Sequence, residues 1–395
     1  MMTNELRGAI AATYETELFG TVEARWYQVA TLRLVEDALE RRIQRVLVHQ
    51  PTGCGKTFTS GLIFSSDRVR RALGIMTDRP LRLLFIAHKH RLLSQAEETY
   101  AHASNVEFIA HSCFQDIPDD IEWDVACIDE AHHEAMSTIQ YQLDKLGDKP
   151  IIGLTATPDR ADGMLIKFEE IICPISRLQA VEEGWLAPTF LNSVIDTPAT
   201  DKTDALTRLI DAYGHEMGQT MVFVRTKAEV RRITDYINEK FAAPSGNMFD
   251  KLRASQPAYA ILGQNDNEVN DLLNQFSAGN IQFLVNCNKI NEGVDVKGCS
   301  DVVLGRQFGS YPQLNQVIGR ASRPDCDCNV WELINPLSGR NLDTTVIVGT
   351  PERHRLIATS KGKYVEHEFN YVSKEQVFES GIAKAYASFG VTRMT

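Results

Sequence analysis

Two short stretches carry residues that could do chemistry on phosphate. The first is VLVHQPTGCGKTFTS, residues 46–60. Gly53 and Gly55 would let the backbone come close to phosphate oxygens. Successive N–H groups at the start of a helix then form an anion nest, backed by the helix dipole. Lys56 would reach the outer phosphates of a nucleotide, and Thr57 would ligate Mg²⁺. The usual pattern, G-x-x-x-x-G-K-[ST], asks for glycine where this chain has Gln50, and Pro51 stiffens the loop entry instead. The second stretch is WDVACIDEAHH, residues 123–133. A strand ending in Asp129 and Glu130 offers one acid to hold Mg²⁺ through water and another to polarise an attacking water. Alone, such a pair also reads as a helix N-cap. With the glycine-bearing loop on another strand of one sheet, it reads as a hydrolytic site.

Elements of a particular kind must position these residues. Short β-branched runs recur at 45–49, 82–88, 123–128, 150–154, 220–224, 257–262, 281–286, 300–305 and 329–334, as buried parallel strands require. Amphipathic segments lie between them. Residues 27–42 place Ala30, Leu34, Val35, Ala38 and Leu39 on one helical face. The rhythm predicts α/β architecture with helices on both faces of parallel sheets. It runs twice, with a polar, proline-bearing connection, IDTPATDKTD, at 195–204.

Composition bounds the partners. The chain has 395 residues, enough for two or three domains, and 43% of them are hydrophobic, so a large core is available. The net charge of −11 argues against a passive nucleic-acid coat, though not against a motor with a local basic track. No apolar run reaches the roughly 18 residues of a membrane helix, so no membrane partner is expected. The first ten residues lack the order of a secretory signal, so a cytoplasmic protein is expected. Eight cysteines are scattered, several within apolar runs. Cys326 and Cys328 are separated by a single residue, which is too close for a zinc knuckle, so no structural zinc is expected.

Further segments, in order, make the chain resemble a superfamily 2 helicase or translocase. In that superfamily PTGxGKT without the first glycine is a normal form of the loop. RWYQ (25–28) resembles the R-x-Y-Q element, with Trp26 for the commoner proline. FIAHKHRLLSQ (85–95) is similar to motif Ia and DEAH (129–132) to motif II. GLTATPDRADG (153–163) resembles motif III as extended in the restriction-helicase and DNA-repair branch. MVFVRTKAEV (221–230), FLVNCNKINEGVDV (283–296) and QLNQVIGRASRP (313–324) resemble motifs IV, V and VI. His111, Ser112 or Cys113 stands where the family usually carries a Thr-containing strand contact.

The resemblance implies two tandem RecA-like parallel-sheet domains with the ATP site in the cleft between them. It implies motor domain 1 at 25–190 and motor domain 2 at 191–345, with extensions at 1–24 and 346–395. Gln28 would read adenine, beside Arg25. Pro51, Thr52, Gly53, Cys54, Gly55, Lys56 and Thr57 would hold ATP, with Thr57 and Asp129 on Mg²⁺ and Glu130 as base. Thr155 and Thr157 would couple the domains. Gly293 and Asp295 would touch nucleotide, Gln316 would help place the water, and Arg320 and Arg323 would be arginine fingers. Lys89, Arg91, Arg225 and Lys227 would touch nucleic-acid phosphates, with DNA favoured over RNA.

A helicase or translocase acting on branched or forked DNA is the leading expectation. An RNA helicase and the motor subunit of a restriction system are the alternatives. An ATP-binding scaffold that has lost its motor would be expected to lack a base or a finger, and Glu130, Arg320 and Arg323 are all present. In the tail, Phe369, Tyr371, Phe378, Tyr386 and Phe389 either pack a C-terminal helix or stack on a base as a small wedge.

Overall fold

The structure, a computed structural model, describes residues 11–16, 20–75, 79–88, 90–101, 103–118, 120–131, 149–156, 168–196, 201–241, 257–287, 296, 298–322, 324, 326–334, 341–342, 344, 353–360, 363–369 and 393–394. The chain divides into two compact units, Met1–Ser176 and Arg177–Thr395.

In the first unit an antiparallel hairpin, β1 (Ala11–Thr16) and β2 (Gly20–Arg25), runs directly into α1 (Trp26–Glu40). A six-stranded sheet follows, built from β3 (Arg45–His49), β4 (Leu81–Ala87), β5 (Val106–Ser112), β6 (Val125–Ile128), β7 (Ile151–Thr155) and β8 (Glu170–Ile172). Its order is β5-β4-β6-β7-β3-β8 and every pairing is parallel. Helices α2 (Lys56–Phe64), α3 (Asp67–Ala72) and α4 (His90–Tyr100) connect the strands. Side chains on a strand alternate between faces. Val46, Val48, Leu83, Phe85, Val125 and Cys127 enter one core. Leu47, Leu84, Ile86, Ala126 and Ile128 enter the other. Both faces are covered, which is why these strands read as unbroken apolar runs.

The second unit holds α5 (Arg177–Glu182), β9 (Thr189–Ile195), α6 (Lys202–Tyr213), β10 (Thr220–Phe223), α7 (Lys227–Phe241), β11 (Ala258–Ile261), α8 (Asp266–Ser277), β12 (Phe283–Asn286), β13 (Asp301–Leu304), α9 (Tyr311–Ile318) and β14 (Cys328–Leu333). After β15 (Asn341–Leu342) come β16 (Arg353–Ser360) and β17 (Lys363–Phe369). The eight-stranded sheet runs β11-β12-β10-β13-β14-β9-β16-β17. Only its last pairing, β16 with β17, is antiparallel. Met221 and Phe223 point into one core and Val222 into the other, the same two-faced pattern as in the first unit.

β9 lies in the second unit, hydrogen-bonded to β14 on one side and β16 on the other. Residues 353–369, grouped above with a C-terminal extension, supply two strands to this sheet. A buried polar cluster seats β16. The Ser193 hydroxyl lies 2.7 Å from His354 Nε2 and donates to Glu332, whose other carboxylate oxygen accepts from Thr344. Each group is satisfied by a neighbour, as burial demands.

Candidate nucleotide site

The loop from β3 to α2 owes its shape to two glycines and one carbonyl. Gly53 and Gly55 have φ of 89° and 83°, in the left-handed region that residues with a Cβ rarely adopt. A Cβ at Gly55 would also stand 2.9 Å from Gln28 Nε2. The Cys54 carbonyl accepts from three side chains: Tyr27 Oη at 3.1 Å, Gln28 Nε2 at 3.2 Å and Gln50 Nε2 at 2.5 Å. An anion nest needs its N–H groups turned inward and its carbonyls turned away. These three donors hold that carbonyl away from the cradle. Arg25 Nη1 in turn donates to Tyr27 Oη at 2.8 Å, and Arg25 N donates to Gln28 Oε1 at 2.9 Å. Burial, first, pushes the Tyr27 hydroxyl well above the usual phenol range, so it remains a donor. The loop entry is tied to β7 by Gln50 N, which donates to Thr155 O at 2.9 Å.

The fit of a magnesium nucleotide rests on what the loop leaves open. Gly55 and Thr57 are exposed, and Lys56 is half buried at the first residue of α2. The Thr52 hydroxyl is shielded from solvent and finds no partner among the described residues. A set of N–H groups, one ammonium, hydroxyls and a nearby carboxylate pair fits phosphates with Mg²⁺.

The carboxylates arrive on β6. Lys56 Nζ lies 3.4 Å from Glu130 Oε1, and each side chain keeps only 14% of its exposure. Glu130 has φ of 50°, a left-handed conformation for a residue with a Cβ, with its N–H donating to Asp129 Oδ1 at 2.9 Å. Such strain persists where surrounding structure fixes it, and it gathers at functional sites. Here Asp129 N donates to Ile86 O and Ala131 N to Leu154 O, both at 2.9 Å, clamping the turn between β4 and β7. The Asp129 carboxyl is pushed up to about 6 by burial and then by the charge of Glu130, against the pull of Lys56 and His88. Mg²⁺ or a second cation would relieve that repulsion.

In the second unit Gln316 is buried on α9, and Arg320 is half buried just beyond that helix. Arg225 and Lys227 are exposed in the turn from β10 to α7. Thr155 is buried at the end of β7, and Arg91 lies in the first turn of α4. Lys89, Thr157, Gly293, Asp295 and Arg323 lie outside the described residues, as do Tyr371, Phe378, Tyr386 and Phe389 of the tail. The first unit thus brings Arg25, Gln28, the loop, Asp129, Glu130 and Thr155 together. Reading the sequence missed Tyr27 and the side chain of Gln50. The signal for Gln50 was its place at the pattern's missing glycine. Cys326 and Cys328 take separate partners, the Cys299 carbonyl and Ser322. Among the described residues no group of three or more metal-ligating side chains is found, and no helix is long and apolar enough to cross a membrane.

A strand, a glycine loop and a helix facing paired carboxylates define a P-loop ATPase fold, here with two parallel sheets of RecA type. Residues 21–117 match the family described as type III restriction enzyme, res subunit, and residues 201–325 match the helicase conserved C-terminal domain. Both matches are to helicase-type families, and the chain is similar to the superfamily 2 helicases, a family of ATP-hydrolysing proteins. It is 25% identical, over 76% of its length and 44% of the relative's, to the type I restriction enzyme EcoAI endonuclease subunit of Escherichia coli. It is 22% identical, over 76% of its length and 49% of the relative's, to a Saccharomyces cerevisiae protein described as an ATP-dependent helicase, IRC3. The chain therefore spans less than half the length of either curated relative. Its fold is shared with the solved ATP-dependent type ISP restriction-modification enzyme LlaBIII bound to DNA, at 14% identity and a TM-score of 0.66, covering 94% of this chain and 33% of that one.

One prediction arises from the Cys54 carbonyl. Gln28→Ala and Gln50→Ala each remove one of its donors, so both should raise the KM for ATP. Only Gln28→Ala should also weaken the preference for ATP over GTP, because an amide can pair with the donor and acceptor edge of adenine. Competition of the two nucleotides in an ATPase assay separates the effects. An unchanged preference in Gln28→Ala would remove base reading from its role.

Proposed function

We propose that the chain is an ATP-driven DNA motor, a helicase or translocase that remodels branched or forked duplexes. The observation that carries this reading is the Lys56–Glu130 contact at 3.4 Å beside two left-handed glycines. Lys56 is the cation for the outer phosphates, and it stands 3.4 Å from the residue that would act as base. With Lys56 on phosphate, the Glu130 carboxylate would accept a proton from water. Mg²⁺, held by Thr57 and through water by Asp129, would supply charge neutralisation on the phosphates. Gln28 reads the base, and Thr155 with Thr157 relays the nucleotide state. Gln316 helps place the water, Arg320 and Arg323 stabilise transition-state charge, and Gly293 and Asp295 add nucleotide contacts from the second unit.

DNA as the track is supported by the motif III extension, by the restriction-enzyme name of the Escherichia coli relative and by the DNA-bound state of the structural neighbour. Lys89, Arg91, Arg225 and Lys227 are the proposed phosphate contacts. ATPase rates measured side by side with single-stranded, duplex and forked DNA and with RNA test the track. Stimulation by RNA alone would overturn DNA. A fork or mobile junction beside a long tailed duplex of equal stability tests the work: efficient separation of the long duplex, with no advantage for the branched one, would refute remodelling.

A second reading, the motor of a restriction system, is favoured by the same relative, whose length exceeds twice the matched share of this chain. It predicts movement along intact duplex without strand separation.

A further inference from the structure

The second unit carries a cation that the reading above leaves unused. β10 and β13 are hydrogen-bonded neighbours with Phe223 opposite Leu304. Arg225 and Arg306 each stand two residues past that pair, on parallel strands spaced about 4.8 Å apart. Gly305 keeps the two turns close, since a Cβ there would meet the Phe223 carbonyl at 3.0 Å. Arg225 is exposed, whereas Arg306 is half buried with its guanidinium 4.4 Å from the centre of the Phe308 ring. Its Nε and Nη2 are shielded from solvent and find no hydrogen-bond partner among the described residues. Burial pushes the guanidinium below arginine's usual range, with Cys287 beyond β12 pulling the other way.

Leaving a shielded cation unpaired is costly, and an acid at the start of α7 is engaged elsewhere. Glu229, in the first turn of α7, accepts from Arg225 N and Thr226 N at 2.8 Å each, while Thr226 Oγ1 accepts from Glu229 N at 3.2 Å. That reciprocal cap fills the start of α7 with the chain's own carboxylate, so the helix end offers no anion site. Lys227 Nζ would lie 3.8 Å from a Cβ at Gly263, just past β11. Arg225, Lys227 and Arg306 therefore crown neighbouring carboxyl ends of one sheet, where parallel sheets take their ligands.

We propose that Arg306 is a phosphate-binding residue: the unpaired N–H groups of its Nε and Nη2 take phosphate oxygens, and Phe308 holds the guanidinium plane in place. A planar fork is suited to that geometry. The phosphate belongs either to the DNA backbone or to the nucleotide. The first source rests on the DNA motor reading; the second does not.

The test uses the full chain and two arms. Anisotropy of a labelled single-stranded oligonucleotide over a salt series reads the backbone. Titration with a fluorescent ATP analogue, without DNA, reads the nucleotide. If the backbone is the source, Arg306→Ala weakens DNA binding about tenfold and flattens the log–log salt slope by about 0.7 for one lost contact, with nucleotide affinity unchanged. If the nucleotide is the source, ATP affinity falls and DNA binding holds. Arg306→Lys keeps the charge and stem but loses the fork and the stacked plane, so it moves the same arm less far; it decides the question should Arg306→Ala fail to fold. Wild-type affinity in both arms for a folded variant overturns the proposal. A wild-type chain that binds no DNA overturns the motor reading instead, and the nucleotide arm then judges Arg306 alone.

Discussion

Lys56→Ala should abolish ATP hydrolysis, and Glu130→Gln should bind ATP without turning it over. The two variants fail for different reasons. Lys56 is the ammonium at the first residue of α2, so its loss removes the main side-chain cation for the outer phosphates. It also removes the cation that draws on both Glu130 and Asp129, and both binding and rate should fall. Glu130→Gln keeps the shape of the side chain and the left-handed backbone at φ of 50° that presents it. It removes only the proton acceptor, a contribution of about 10²- to 10⁴-fold in such sites. It also removes the repulsion that helps push the Asp129 carboxyl up to about 6, so that carboxyl should ionise more readily and Mg²⁺ should be held at least as well. Equilibrium nucleotide binding with and without Mg²⁺, beside steady-state ATPase, distinguishes the two. Wild-type turnover in either variant would remove the site from this loop.

The central strands were legible because they are covered on both faces. VACI in β6 and IIGLT in β7 are buried at every position, and a continuous apolar run is the sign that burial leaves. β9 and β16 escaped because their sequences, TFLNSVI and RHRLIATS, break that run with polar residues. Thr189, Asn192, Ser193, His354 and Thr359 are buried all the same. Ser193 and His354 are buried and satisfied by each other and by Glu332, a contact between strands far apart in sequence that no periodicity reports. The hairpin of β1 and β2 escaped for the opposite reason: AATYET and GTVEAR are too mixed to resemble buried strands. At the nucleotide site the glycines, Lys56, Asp129 and Glu130 were legible as types at a spacing. The role of Gln50 was not, because it consists of a direction. Three side chains from two segments converge on one carbonyl, and the sequence holds only their separate letters.

Arg320→Ala should leave nucleotide affinity nearly intact and lower turnover by about 10³-fold, the lower end of what an arginine finger supplies. In phosphoryl transfer the group in flight carries negative charge that one lysine and a nest of N–H groups answer only in part. Several arginines of the first unit are committed to acidic partners. Arg68 is paired with Glu36, Asp37 and Glu40, and Arg79 and Arg82 are paired with Asp124. Arg320 sits in the turn that closes α9, its N–H donating to Val317 O at 3.1 Å, one helical turn beyond the buried Gln316. A residue fixed at the end of a short helix is ordered before substrate arrives, so little is lost when it meets developing charge. A cation that acts only in the transition state changes kcat and leaves ground-state binding alone. Nucleotide titration beside steady-state ATPase measures both. Arg320→Lys should recover little, since an ammonium on a flexible stem lacks the planar fork. Equal losses of affinity and rate in Arg320→Ala would instead assign the residue to holding α9 in place.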